Sequence, residues 1–253
     1  MATVHHQVDT YPIRNVPLTR PFIWLSEGWD DLLHHPAASL AYGLLISALG
    51  ALILAYERHP FFIAAVASGF LLVGPILTAG LCELSRCRDQ GETADFQSSL
   101  LPLRRNRSSL LGVAETLALM AVIWFALSAA IYLGLVGSVA PSLESTVGGD
   151  VLRLLSTGQL TAYVAVGGLL ASAVFALSVV TIPMIIDRHV DARTAMHMSL
   201  RVTARDLPAM LVWAALIVTL VLFGFATELF GMVFVFPLLG HATWRAYREL
   251  VRQ

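Results

Sequence analysis

The chain has 253 residues, of which 57% are hydrophobic and 13% charged, with a formal net charge of −1. Charged residues are about half as frequent as in a soluble domain, too few to cover a water-facing surface of this size. The near-neutral balance also excludes nucleic-acid binding through bulk electrostatics.

In chain order, Met1 to Arg20 lacks the apolar core of a cleavable signal peptide. It is expected to be a flexible cytoplasmic tail, with the first span acting as its own insertion signal. From Pro21 to His35, Phe22, Leu25, Trp29, Leu32 and Leu33 recur at helical spacing, while Ser26, Glu27, Asp30, Asp31 and His34 take the other face. That pattern predicts an amphipathic helix lying in the membrane interface, with an acidic polar side.

Crossing the hydrocarbon core takes about 20 apolar residues. Six stretches meet or approach that length: Pro36–Tyr56, Phe61–Leu84, Leu110–Gly137, Leu160–Ile186, Leu207–Phe225 and Thr227–Trp244. Glu57-Arg58-His59-Pro60 separates the first two as a tight turn, and the last two break between Gly224 and Glu228. The reading is an all-α bundle of six transmembrane helices forming one domain over residues 21–247, with a cytoplasmic tail over 248–253. Ser138–Gln159, interrupted by Pro141, Gly148 and Gly149, is the one sizeable outer loop, with a short surface helix at Val151–Leu155.

Every basic residue is arginine, as in proteins of GC-rich bacterial genomes. Fourteen of the 16 lie on one side of these spans, and only Arg58 and Arg153 lie on the other. The positive-inside rule then places both termini in the cytoplasm and the protein in a bacterial inner membrane.

The linkers repeat the first pattern. Ala195, Met198 and Val202 form an apolar stripe opposite Arg193, His197, Arg201 and Arg205. Phe96, Leu100 and Leu103 form a shorter one ending at Arg104-Arg105-Asn106-Arg107. An interfacial helix, an outward span and an inward span thus recur three times, and each inward span carries a proline: Pro75, Pro183 and Pro237. A proline in a membrane helix kinks it and frees a carbonyl. Three parallel two-span units differ from the inverted repeats of many secondary transporters.

Positions four and eight residues after each proline share a helix face. They read Ala79 and Glu83, Asp187 and Asp191, His241 and Arg245. Glu83, Asp187, Asp191, His241 and Arg245 are therefore the candidate polar site, for ion or substrate binding or for ion pairs between helices. Glu115, near the inner end of its span, is expected to pair with an arginine near Arg107 and Ser108. Small residues (Ala41, Gly43, Ser47 and Gly50; Gly167, Gly168, Ala171 and Ser172) suit close helix contact.

Chemistry beyond this is thin. Cys82 and Cys87, five residues apart, point about 140° from each other on a helix and read as packing residues. Of the eight histidines only His241 approaches membrane depth, which does not fit haem ligation across a bundle. His34, His35, His189 and His197 lack metal-ligand spacing. No GxSxG elbow, Walker A loop, HExxH or GxGxxG occurs, so the expectation is a non-enzyme with no cofactor or metal.

Three segments carry a resemblance. They are Gly69-Phe-Leu-Leu-Val-Gly-Pro-Ile-Leu77 with Glu83-Leu-Ser-Arg86, then Val180-Thr-Ile-Pro-Met-Ile-Ile-Asp-Arg188, and Pro237-Leu-Leu-Gly-His-Ala-Thr-Trp-Arg-Ala-Tyr247. Over most of its length the chain resembles an uncharacterised family of proteobacterial integral membrane proteins. That family is catalogued as a domain of unknown function, and some members are labelled cytochrome c oxidase subunit I. The resemblance implies a six-helix inner-membrane fold and brings no activity with it. The expected role is accessory or assembly work beside other inner-membrane proteins. The alternative is a carrier of a small solute, ion or lipid built from three two-span repeats, in an architecture like that of the mitochondrial carriers. Their Pro-x-acid-x-x-base signature is missing here. An enzyme acting on lipid head groups comes last.

Overall fold

The computed structural model describes residues 11–54, 62–136 and 156–251. The Glu57–Pro60 turn and most of the outer loop, including Val151–Leu155, lie outside the described residues. Eleven helices are described: α1 (Arg20–His34), α2 (Pro36–Leu54), α3 (Phe62–Asp89), α4 (Phe96–Ser99), α5 (Leu101–Arg105), α6 (Arg107–Val136), α7 (Thr157–Ser178), α8 (Thr181–Arg188), α9 (Ala192–Arg205), α10 (Leu207–Ala226) and α11 (Met232–Leu250). No strand ladder joins them among the described residues, only an antiparallel bridge between Ile13 and Val251.

Each of the six apolar stretches contains helix among the described residues, but they differ as spans. Among the described residues, Arg107–Leu127, Val164–Arg188 and Leu207–Ala226 are long and apolar enough to cross a membrane. The pair α1–α2, bent by 108°, makes a fourth if taken together. Helix α11 falls short of that test because of its polar second half. It carries His241, Arg245, Arg248 and Glu249 after an apolar first half.

Local chemistry sets the boundaries. Gly91, at φ +70°, takes the left-handed position just past α3, where glycine closes a helix without Cβ strain. Asp95 and Ser98 cap α4 reciprocally, side chain to backbone. Asp191 caps α9 by accepting the backbone N–H groups of Arg193 and Thr194. The break between α10 and α11 is a turn over Thr227–Gly231, in which Glu228 and Leu229 both have positive φ. Thr227 Oγ1 accepts the Gly231 N–H at 2.8 Å and holds that turn.

Two expectations need correction. The stretch from Leu160 to Ile186 is not one helix: it breaks at Val179–Val180. The break falls four residues before Pro183, whose missing N–H would have bonded the Val179 carbonyl, so this proline interrupts the span and stands in the first turn of α8. First-turn N–H groups have no intrahelical partner, so a missing one is harmless there. Pro75 and Pro237 do lie inside their helices, α3 and α11. The second correction concerns α1. Its buried face is Pro21, Trp24, Gly28, Asp31 and Leu32. Phe22, Trp29 and Leu33 point outward, and Asp31, assigned to the polar face, is wholly buried. Packing against α11 selected the narrow Gly28 side, because a larger residue could not approach so closely. A Cβ on Gly28 would lie 2.7 Å from the Ala242 backbone nitrogen.

Helices α2 and α11 meet even more tightly. A Cβ on Gly43 would fall 2.0 Å from the Val233 carbonyl oxygen. Ser47 donates to the Leu229 carbonyl at 3.0 Å, and Gly50 also faces Leu229. The small residues of α2 thus line the α11 contact. In the second small-residue stretch, Gly167 accommodates the Trp124 ring.

The largest apolar core gathers Trp24, Trp213, Trp244 and Tyr247 with Ile182, Met184 and Ile185. The Trp24 and Trp213 rings meet edge to face at 5.8 Å. A second core, between α2, α3 and α11, contains Tyr42, Leu81, Leu84 and Phe236.

Candidate functional site

Where α1, α3 and α11 converge, apolar packing gives way to a buried polar junction. It forms because α3 places Ser85, Arg88 and Asp89 on adjoining turns. Helix α11 does the same with His241 and Arg245, one turn apart.

Asp31, fully buried, is the hub. Arg245 donates to both of its oxygens, Nε to Oδ2 at 2.8 Å and Nη2 to Oδ1 at 2.5 Å. Arg88 Nη1 donates to Oδ1 at 2.5 Å, and Ser85 Oγ donates to Oδ2 at 2.8 Å. Burial alone would raise the Asp31 carboxyl. The Arg245 and Ser85 hydrogen bonds, with the Arg245 charge, outweigh it and hold the group below its ordinary range. Arg245 also reaches Asp89 at 2.7 Å, and the Trp244 indole N–H donates to that carboxylate at 2.9 Å.

His241 extends the junction inward. Its Nδ1 lies 2.7 Å from Ser85 Oγ and its Nε2 lies 2.9 Å from Ser39 Oγ. The carboxylate of Asp31 only accepts, so the Ser85 hydroxyl proton points to it. In the neutral ring Nδ1 then carries the hydrogen and donates to Ser85, while Nε2 accepts from Ser39. The result is a directed chain, Ser39 to His241 to Ser85 to Asp31, linking α1, α2, α3 and α11. Ser39, Ser85 and His241 are all fully buried, so neither hydroxyl is exposed as a nucleophile.

The other candidate residues go elsewhere. Glu83 forms a two-pronged pair with Arg86, at 2.8 and 2.9 Å, and a longer contact with Arg105 at 3.5 Å. Arg86 also bonds Gln90 along the same helix. Asp187 accepts the Tyr247 hydroxyl at 2.6 Å and pairs with Arg188 at 3.0 Å. The Arg188 guanidinium in turn sits 5.4 Å from the centre of the Tyr11 ring. Asp191 is spent on its cap, and the Thr194 hydroxyl bond above all lowers its carboxyl. The five residues therefore do not share one site: only His241 and Arg245 come together. Glu115 was expected to pair with an arginine. It is instead exposed on α6 beside Leu111 and Leu119, and among the described residues no ion pair or hydrogen bond reaches it. Two helical turns separate it from Arg107, further than the side chains bridge along α6.

Sequence reasoning did not find Asp31, Ser39, Ser85 or Asp89. The available signal was spacing: Ser85 and Asp89, like His241 and Arg245, lie four apart at the polar ends of apolar helices.

Beyond the junction, a cleft of about 440 Å³ opens between α1, α3 and α11, lined by Arg20, Glu27, Asp89, Arg245, Arg248 and Glu249. Glu249 accepts from Arg20 Nε and Trp24 Nε1, each at 2.7 Å, and so ties the ends of α1 and α11 together. Among the described residues no three His, Cys, Asp or Glu side chains are arranged to hold a metal ion. Cys82 and Cys87 are free thiols, both buried. His189 Nδ1 bonds the Asn106 side-chain Oδ1 at 2.9 Å, and the His34 and His35 rings meet edge to face at 4.8 Å.

No curated protein and no solved structure matches the chain. The model of one protein family does match, over residues 62–187, and it is described as a predicted integral membrane protein, DUF2189. The matched stretch runs from the start of α3 to the end of α8, and it contains Ser85, Asp89, Glu83 and Asp187. Over that stretch the chain is similar to a family of predicted integral membrane proteins catalogued as a domain of unknown function.

Proposed function

We propose that this protein is a non-enzymatic accessory or assembly factor of the bacterial inner membrane, with six spans and both termini in the cytoplasm. The observation that carries the reading is how its polar groups are used. Asp31, Arg245, Asp89, Ser85 and His241 satisfy one another inside the bundle and act as a bolt between helices. Apolar side chains meanwhile face outward along α6 and α10, including Leu119, Val122, Leu211 and Leu222. Such faces contact lipid or the helices of another membrane protein.

Six helical stretches support the count: α2, α3, α6, α7 with α8, α10 and α11. The element order supports a threefold repeat, since α1, the α4–α5 pair and α9 each precede two long helices. The bend of 108° between α1 and α2 supports an α1 that lies along the membrane surface.

A carrier of a small solute, ion or lipid is the second reading, favoured by the charged cleft between α1 and α11. Gentle detergent extraction at native expression level decides between the two, with mass spectrometry of co-purifying proteins and an absorbance spectrum. A stoichiometric membrane-protein partner is the expected result. A partner-free, colourless protein stabilised by a small solute would replace the first reading with the second, and a haem band would overturn both.

A further inference from the structure

The arginines of the polar face fall into two classes that the sequence does not separate. On α1, α3 and α11 each is ion-paired: Arg20 with Glu249, Arg86 with Glu83, Arg88 and Arg245 with Asp31, and Arg248 with Asp89. On the elements that lead into α6 and α10, Arg104, Arg107, Arg193 and Arg205 are exposed. Among the described residues no carboxylate pairs with any of these four. The acids beside Arg193 and Arg205 are committed to backbone groups, and Glu115 lies two helical turns from Arg107 with no ion pair among the described residues. Asp191 accepts the N–H groups of Arg193 and Thr194, and Asp206 accepts the Val16 N–H at 2.7 Å.

Position determines what the four guanidiniums meet. Arg107 opens α6, and Arg205 stands two residues before α10. Both helices belong to stretches long and apolar enough to span a bilayer, and most of their surface is open. The first turn of such a helix lies at headgroup depth. The fold also draws the two pairs towards each other. Asn106, between Arg104 and Arg107, bonds His189 in the link that leads to α9. A Cβ on Gly112 of α6 would lie 3.0 Å from the Cβ of Ala192, the neighbour of Arg193. Leu101 and Leu200, on the same elements, are exposed and suited to the acyl boundary.

We infer that Arg104, Arg107, Arg193 and Arg205 form a binding surface for the phosphate headgroups of anionic phospholipids in the cytoplasmic leaflet. The paired arginines of α1, α3 and α11 are structural and take no part. Guanidinium matches phosphate in two-pronged geometry, and each such contact at a membrane surface is worth about a fivefold factor. The inference goes beyond the accessory role and does not depend on it, because it requires only that α6 and α10 cross the bilayer.

The test is native mass spectrometry of the delipidated full chain after adding equimolar phosphatidylglycerol and phosphatidylcholine with matched acyl chains. Wild-type protein should retain phosphatidylglycerol preferentially, and the preference should fall as salt is raised to about 0.5 M, where surface charges are screened. The quadruple variant Arg104→Gln/Arg107→Gln/Arg193→Gln/Arg205→Gln should lose the preference by about tenfold or more. The double variant Arg20→Gln/Arg248→Gln should keep it. No preference in the wild type, a preference indifferent to salt, or a quadruple variant as selective as the wild type would each overturn the inference. Partner co-purification is read separately, so loss of the accessory role leaves this result standing.

Discussion

Asp31 and Arg245 lie 214 residues apart in the chain and meet through two hydrogen bonds, at 2.8 and 2.5 Å, with the carboxylate wholly shielded from solvent. This pair joins the first described helix to the last. It also sets the strength of the bolt, because a buried charge left without its partner is far more costly than the pair is valuable.

Arg245→Met should therefore destabilise the protein by roughly 3–5 kcal/mol, since Asp31 would keep its burial and lose its main counter-charge. Asp31→Asn should cost less, because Arg245 retains Asp89. Thermal melts in detergent, followed by size-exclusion recovery, check the order. A harmless Arg245→Met would remove the pair from any structural role.

The same carboxylate predicts a dependence on pH. The folded state depresses the Asp31 pKa below the ordinary carboxylate value of about 4. Its contribution to stability is therefore complete above that value and is lost as pH falls through the lower folded pKa. Melting temperatures of wild type and Asp31→Asn should differ most near neutrality and converge below about pH 4. A gap that widens in acid would contradict the sign.

Gly43→Ala tests the α2–α11 contact. Its new methyl would meet the Val233 carbonyl oxygen at 2.0 Å, and backbone cannot swing aside as a flexible side chain can. A loss of about 1–3 kcal/mol is expected, as for overpacking elsewhere. Gly168→Ala, with open space around its Cβ position, is the control and should melt like the wild type.

Asp187→Asn should lower the melting temperature without abolishing partner co-purification, because its contacts are Tyr247 and Arg188 within the protein. Tyr247→Phe should act through the same bond, so the double variant should fall short of additive. Loss of the native function with an unchanged melting temperature would instead mark Asp187 as part of a functional site.

Trp29 reports on α1. It is about two-fifths exposed, whereas Trp24 on the same helix is fully buried. In bilayers containing brominated acyl chains, quenching should drop markedly in Trp29→Phe if that face enters the interface. Equal quenching in both proteins would place α1 away from the lipid.

Much of the helical framework was legible beforehand because hydropathy and turn residues act locally. The stretches around Leu110 and Leu207 became α6 and α10 nearly at the expected bounds. Pro183 signalled an interruption near Val179, but hydropathy did not, since β-branched apolar residues continue the hydrophobic run across it. The candidate residues were legible only as individuals. Glu83, Asp187 and Arg245 stood out as charges near apolar helices, but nothing in the spacing told which would meet.

The sequence by itself determined that the chain is a helical membrane protein and where its helices lie, because those follow from composition and periodicity along a few turns. Only the tertiary structure decided that Asp31 belongs inside, that His241 bridges Ser39 and Ser85, and that Arg245 is a bolt while Arg107 is open. Those outcomes depend on how helices cross. A crossing is set by contacts such as Gly28 on Ala242 and Gly43 on Val233, between residues some 190 to 214 positions apart, which local patterns do not encode.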